Sequence, residues 1–209
     1  MMRRSKKVGR KEVKGPGRPL AFDPGQALER AMGVFWRRGY EGASLAELTR
    51  AMRINRPSMY ATFGNKERLF RKVLDRYAHD AVGYLRDGLR EPTARGAMEK
   101  ILLDAADALS DPSRPPGCLL VQGALACGSE SNRIQRELCS RRGEGEAAIR
   151  QRFERAQAQG DLPSSVDTAA LAAYLAAVLN GLAVQAASGA SREKLRTIAQ
   201  RAMQAWPAS

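Results

Sequence analysis

Between Asn55 and Lys66 the chain brings together a guanidinium, two hydroxyls and a phenol in one short stretch, carried by Arg56, Ser58, Thr62 and Tyr60. These are the groups that read or hold a DNA duplex. Arg56 alone can pair bidentately with the O6 and N7 of guanine, Ser58 and Thr62 offer weaker hydroxyl contacts, and Ala61 can meet a thymine methyl. A second chemistry belongs to sulfur. Cys118, Cys127 and Cys139 are separated by eight and eleven residues, which fits no zinc spacing, and the one histidine, His79, is remote in sequence. Neither a metal nor another cofactor is expected. Cys118 follows Pro115-Pro116-Gly117 at an expected helix start, where the helix dipole favours a thiolate. It is therefore the candidate redox residue, with a buried and inert cysteine as the simpler alternative. No Gly-x-Ser-x-Gly, no phosphate-cradling glycine loop and no partner for His79 are present, so no enzyme is expected.

The elements that must position these groups announce themselves by their caps. Asp23-Pro24-Gly25-Gln26 supplies an N-cap carboxylate and a proline at the first helical position. Leu28, Met32 and Phe35 then repeat at helical spacing until Gly39. Ser44 with Glu47 three residues on reads as a capping box for a second helix with Leu45, Leu48 and Met52 inward. Arg53, Ile54 and Asn55 form a tight turn, and Asn55 caps a third helix ending near Phe63. Two short helices across such a turn are the layout in which the second helix enters the major groove. At 100° per residue Met59 and Phe63 share its inner face. Pro57, Ser58 and Ala61 then point outward, with Tyr60 and Thr62 on the flanks.

From about residue 79 the pattern is helical throughout, so the fold class is all-α. Met98, Ile101, Ala105 and Leu109 mark one helix, Leu119 to Leu125 a short one, and Ile134 to about Gln159 a long one. The last two helices run from about Val166 to Ser188 and from Ser191 to Trp206. Leu171, Leu175, Val178 and Leu182 make a seam on one, and Leu195, Ile198, Ala202 and Trp206 a seam on the other. The first of these is alanine-rich nearly all round, so its own domain or a second subunit must cover it.

The chain of 209 residues has a net charge of +13, which suggests a polyanionic partner. Residues 1–78 hold 19 Lys and Arg against 7 Asp and Glu, and the remainder 16 against 15. The excess sits in the first third. Residues 1–18 carry eight basic side chains and one acid with few large apolar groups, a flexible basic arm. No apolar run follows it, so no secretory signal is expected and the protein should remain in the cytoplasm, where an odd cysteine count argues against a disulfide framework. The most apolar window, Thr168 to Leu179, is too short to cross a bilayer and is expected as a buried helix, with no membrane partner.

Arg56-Pro57-Ser58-Met59-Tyr60-Ala61-Thr62-Phe63-Gly64-Asn65-Lys66, preceded by Phe35-Trp36-Arg37-Arg38-Gly39-Tyr40 and Ser44-Leu45-Ala46-Glu47-Leu48, resembles the N-terminal domain of TetR-family transcriptional regulators. The resemblance covers roughly residues 17 to 78. It implies an arm at 1–18, a helix-turn-helix domain at 19–66 and a helical ligand-binding and dimerisation domain at 67–209, with a fourth helix over about 66–89 connecting them. By motif position Tyr60, Lys66 and Ser44 correspond to phosphate-contacting residues and Arg56, Pro57, Ser58 and Thr62 to base-facing ones. Ala61 departs from the bulky aromatic often found there. Gly17-Arg18-Pro19 resembles an arm whose arginine enters the minor groove. The family's dimer is a four-helix bundle, which would place Leu171, Leu175, Val178, Leu182, Leu195, Ile198 and Ala202 at the subunit interface.

The expected function is a homodimeric repressor on a palindromic operator of double-stranded DNA, released by a small apolar or aromatic inducer. Two rivals stand beside it: a thiol-based redox or electrophile sensor using Cys118, and a nonspecific architectural DNA-binding protein.

Overall fold

The computed structural model describes residues 22–125 and 132–207. Arg18, the basic arm and Cys127 lie outside them. Among the described residues there are ten helices and no strand. The first group is α1 (Pro24–Gly42), α2 (Leu45–Met52), α3 (Arg56–Phe63) and α4 (Lys66–Asp80). Then follow α5 (Gly83–Gly88), α6 (Ala94–Leu109), α7 (Leu119–Leu125), α8 (Asn132–Ala158), α9 (Thr168–Ala187) and α10 (Arg192–Met203).

Side-chain oxygens start the first four helices. Asp23 accepts from the Gly25 N–H at 2.7 Å and the Gln26 N–H at 3.4 Å. Ser44 accepts from the Glu47 N–H at 3.1 Å, while Asn55 and Asn65 each accept at 2.8 Å from the residue three positions on. Each cap satisfies a donor that the helix leaves unpaired and is worth about 1 kcal/mol. The capping box at Ser44 is half realised, since the Glu47 carboxylate pairs with Arg38 at 3.4 Å. Gly39 has φ 67° inside α1, a value an L side chain resists, and there the chain bends before α2.

One hydrophobic core runs through the described residues. Phe35 of α1 meets Phe70 of α4 edge-on at 4.8 Å, and Trp36 meets Tyr77 at 4.9 Å with rings at 89°. In this way α1 lies along α4 and also packs on α7. The connecting helix is shorter than the expected span of 66–89. It stops at Asp80 because Val82, at φ −108° and ψ 15°, leaves the helical region ahead of Gly83, and α5 starts there as a separate turn. Gly88 then lets α5 settle on α6, where a Cβ would collide with the Ile101 side chain.

The last two helices carry the two apolar seams read from the sequence. Helix α9 is 20 residues long, longer than its most apolar window, and by length and composition alone could reach across a membrane. It is instead an element of the helical domain, packed on α6, α7, α8 and α10. Its Leu175 and Leu182, with Leu195 and Ala202 of α10, are buried in the chain's own core, and Leu171, Val178 and Ile198 are partly buried against it. The strongest apolar seam therefore faces inward, because branched side chains gain most from burial in the protomer itself. The outward face of α9 carries Ala170, Ala173, Tyr174, Ala177, Gly181 and Val184, all exposed. Leu182→Ala should thus cost about 2 to 5 kcal/mol of folding stability, read as a lowered urea midpoint. An unchanged midpoint would contradict its place in the core.

Candidate nucleic-acid interface and interior cavity

The candidate recognition surface is built on a short helix of 8 residues. Helix α3 buries only Met59 and Phe63, so the rest of its circumference remains for contact. Arg56, Pro57 and Ala61 are exposed, Ser58 is half-buried, and Tyr60 is 48% exposed. Ser44 is exposed as well. Its oxygen accepts from the backbone, and its own proton remains free to donate. Thr62 is the exception among the expected contacts, since its Oγ1 is buried with no hydrogen-bond partner. Three residues on from Met59 bring it to within about 60° of that buried direction, which turns the hydroxyl under the helix rather than toward a base.

Lys66 is held rather than free. Its ammonium lies 4.6 Å from the centre of the Tyr40 ring and donates to the Glu41 carbonyl at 3.4 Å. Burial lowers its pKa, with Glu41 opposing that shift. The cation is thereby placed at the start of α4, beside the end of α3. Arg18 lies outside the described residues.

Three arginines outside the expected set, Arg50, Arg53 and Arg68, share this region with Arg56. Arg50, Arg53, Arg56 and Arg68 are exposed, and among the described residues none of them forms an ion pair. Arg53 has φ 58° and ψ 41°, left-handed backbone in a residue that is not glycine, and ends α2 by donating its N–H to the Arg50 carbonyl at 3.1 Å. Sequence patterning marked this position as a turn and overlooked the charge it carries. The clue was the position itself, since a polar residue between the two helices of such a motif must project outward.

A second feature is a cavity of about 410 Å³ bounded by α5, α7, α8 and α9. Leu85, Leu120, Val121, Ile149 and Leu179 provide most of its apolar wall. Arg141 of α8 is matched by Asp75 of α4 at 2.6 Å and Glu137 at 3.0 Å. Burial opposes its charge, but those carboxylates prevail and raise its pKa. Cys118, directly before α7, is in the same wall, and so is Cys139. The Tyr77 hydroxyl donates to Cys118 Sγ at 3.2 Å and accepts from the Leu119 N–H at 3.3 Å. Burial, then Cys118 and Tyr84, raise the Tyr77 pKa well above its ordinary value, so it stays a neutral donor. Gly117, at φ 83°, allows the close approach, since a Cβ there would lie 2.8 Å from the Ala183 carbonyl. Among the described residues no cluster of three or more His, Cys, Asp and Glu is arranged to hold a metal ion.

Comparison with known proteins bears on both features. Residues 27–73 match the sequence model described as bacterial regulatory proteins, tetR family. Residues 96–206 match that of the tetracyclin repressor-like C-terminal domain. The HTH-type transcriptional repressor ComR of Escherichia coli (strain K12) is 35% identical over 200 residues, which is 93% of each chain. A cysteine mutant of the TetR-family transcriptional regulator CifR, solved with 26-base-pair double-strand operator DNA, is 46% identical, with a TM-score of 0.88. That likeness covers 91% of this chain and all of the other. A putative TetR transcriptional regulator from Rhodococcus is 42% identical with a TM-score of 0.62, over 88% of this chain and 98% of the other.

The two sulfurs differ in access: Cys139 is exposed, with the Arg142 guanidinium donating to its Sγ at 3.3 Å, whereas Cys118 is 9% exposed. Iodoacetamide should therefore alkylate Cys139 roughly ten-fold or more faster than Cys118 in the native protein, as followed by peptide mass spectrometry. Equal native rates would refute the burial of Cys118.

Proposed function

The chain belongs to the tetR family of bacterial regulatory proteins, and from that premise we propose a cytoplasmic homodimeric repressor that leaves a palindromic operator when a small molecule enters the cavity. The observation that carries the reading is the exposed face of α3, held by two buried residues and surrounded by four unpaired arginines. Arg56 supplies base readout, with Pro57, Ser58 and Ala61 completing the face toward the groove. Ser44, Tyr60 and Lys66 fix the register on phosphates, and Arg50, Arg53 and Arg68 add the salt-dependent part of affinity. In the dimer two copies of α3 occupy successive major grooves about 34 to 36 Å apart.

The partner is met through the outward face of α9, not through the leucine seam. Residues 170, 173, 177, 181 and 184 recur at helical spacing, and the alanines and Gly181 permit close approach of a second helix. Tyr174 and Val184, 42% and 43% exposed, are the large side chains of that face.

Induction runs through α4 and α7. A ligand acts only by its differential affinity for two states. An occupant that displaces Cys118 disturbs the Tyr77 hydroxyl, and Tyr77 leans on Trp36 of α1. Movement of α1 carries α3 with it. A second reading rests on the two sulfurs in the same wall, where covalent modification of Cys118 or Cys139 would itself be the input.

Against an operator selected from a random palindromic library, Arg56→Ala should lose about 1 to 3 kcal/mol and relax preference at one base pair per half-site. Arg53→Gly should weaken all sequences alike and lower the salt slope by about one unit. Equal losses on operator and random DNA for Arg56→Ala would favour a nonspecific architectural protein instead. Tyr174→Arg should shift the dimer toward folded monomer in sedimentation, with helicity kept. A dimer of unchanged mass at micromolar concentration would remove α9's outer face from the interface.

A further inference from the structure

The cavity wall carries charge of both signs, and only part of it is paired. Arg141 is bonded to Asp75 and Glu137, at 2.6 and 3.0 Å. Arg142 donates to Cys139 Sγ and stands one helical turn before Glu146, which also lines the cavity. An anion entering here would meet carboxylates as readily as guanidiniums, and a cation would meet the reverse. Either would also lose hydration to an apolar wall, which is costly without a dedicated counter-charge.

Beside these charges stands a neutral donor without a partner. Tyr84 of α5 lines the cavity beside Cys118, and among the described residues its hydroxyl has no hydrogen-bond partner. Its neighbour in the fold, Tyr77, is by contrast fully engaged with Cys118 and Leu119. Burial, and then Cys118, raise the Tyr84 pKa well above its ordinary value, so the group is a standing O–H donor. A half-buried hydroxyl beside the aliphatic part of a wall, here Leu120, Val121, Ile149 and Leu179, is the pattern by which a pocket orients an apolar guest through one polar atom.

We propose that the inducer is an uncharged, mainly apolar molecule bearing one hydrogen-bonding oxygen, a ketone or a hydroxyl, which is seated on the Tyr84 phenol. The inference rests on the reading of this cavity as the inducer site and adds to it the chemical class and the anchoring residue. The ligand's oxygen takes the Tyr84 proton in a hydrogen bond next to Cys118. Its hydrocarbon body lies along Leu120, Val121, Ile149 and Leu179. This anchoring places the polar end of the ligand against the sulfur that Tyr77 holds, where a small displacement is felt by α4.

Two fluorescent naphthalenes of the same ring system separate the possibilities on the full-length protein. They are the neutral ketone 6-propionyl-2-(dimethylamino)naphthalene and the anionic 6-(dimethylamino)-2-naphthoate. The ketone should bind with a blue shift in emission, at least about ten-fold more tightly than the naphthoate. Tyr84→Phe, with an unchanged melting temperature, should weaken the ketone about 3- to 10-fold, the loss of one neutral hydrogen bond. Equal ketone affinity in Tyr84→Phe overturns the proposal. So does tighter binding of the naphthoate that Arg142→Gln weakens, and so does failure of the ketone to bind the wild type. Ala176→Phe fills the cavity and tests the underlying reading separately. Loss of probe binding in that variant keeps the cavity as the site whatever Tyr84 does, whereas undiminished binding overturns the site and the proposal together.

Discussion

The hydroxyl of Tyr77 is the joint on which this molecule turns. It donates to Cys118 Sγ and accepts from the Leu119 N–H, so it fixes the start of α7, while the edge of its ring meets Trp36 of α1. Three helices with different duties are thereby joined at one side chain of α4: the first helix of the DNA-binding domain, the connecting helix and a wall of the cavity. A buried phenol with both of its roles filled is a rigid joint, because leaving either partner unsatisfied would cost about 1 to 3 kcal/mol. On its other side α4 is tied to α8 by the Arg141–Asp75 pair. The connecting helix is therefore gripped from two directions by the domain that holds the cavity. Breaking it at Asp80, with α5 beginning at Gly83, separates the gripped segment from the part of the wall that carries Tyr84.

The proposed function divides attraction to DNA and recognition of sequence between different side chains. The excess positive charge lies in the first third of the chain, and the exposed, unpaired Arg50, Arg53 and Arg68 belong to it. Such charges act through counterion release and carry no sequence information. In the proposed function, reading falls to the face of α3, which can be so short because Met59 and Phe63 anchor it, Asn55 caps it and Asn65 caps the helix that follows. In the ion pairs that do form nearby, Arg71 with Glu67 and Arg76 with Asp80, the cation serves α4 instead of the groove.

Helix α9 shows how an apolar helix can serve two surfaces. Its leucines enter the core of their own chain, while the alanine-rich back with Tyr174 and Val184 is left outside. The division follows from size. Leucine contributes most where it displaces water on all sides, whereas alanine permits the close approach of another helix at little entropic cost. A face of this kind can hold a partner without weakening the protomer's core.

Much of this was legible in the residues alone. The caps at Asp23, Ser44 and Asn55, the inward pair Met59 and Phe63, the all-helical second half and the family to which the chain belongs are local in origin. They depend on spacing and on side chains reaching backbone a few residues away, which any stretch of chain carries with it. The direction in which a seam faces is not local. Leu175 and Leu182 read equally well as core or interface, and packing against α6, α8 and α10 decided for the core. Thr62 looked available until the position of its hydroxyl under α3 became visible, and Lys66 looked free until Tyr40 came beneath it. The grouping of Tyr77, Tyr84, Cys118 and Cys139 could not be read in advance, since these residues are brought together from α4, α5, the start of α7 and α8. The sequence by itself determined the elements, the charge division and the recognition motif, because those arise from interactions within a turn or two of helix. Only the tertiary structure decided which polar groups find partners and which apolar face is left exposed, because both depend on what distant segments deliver to the same place.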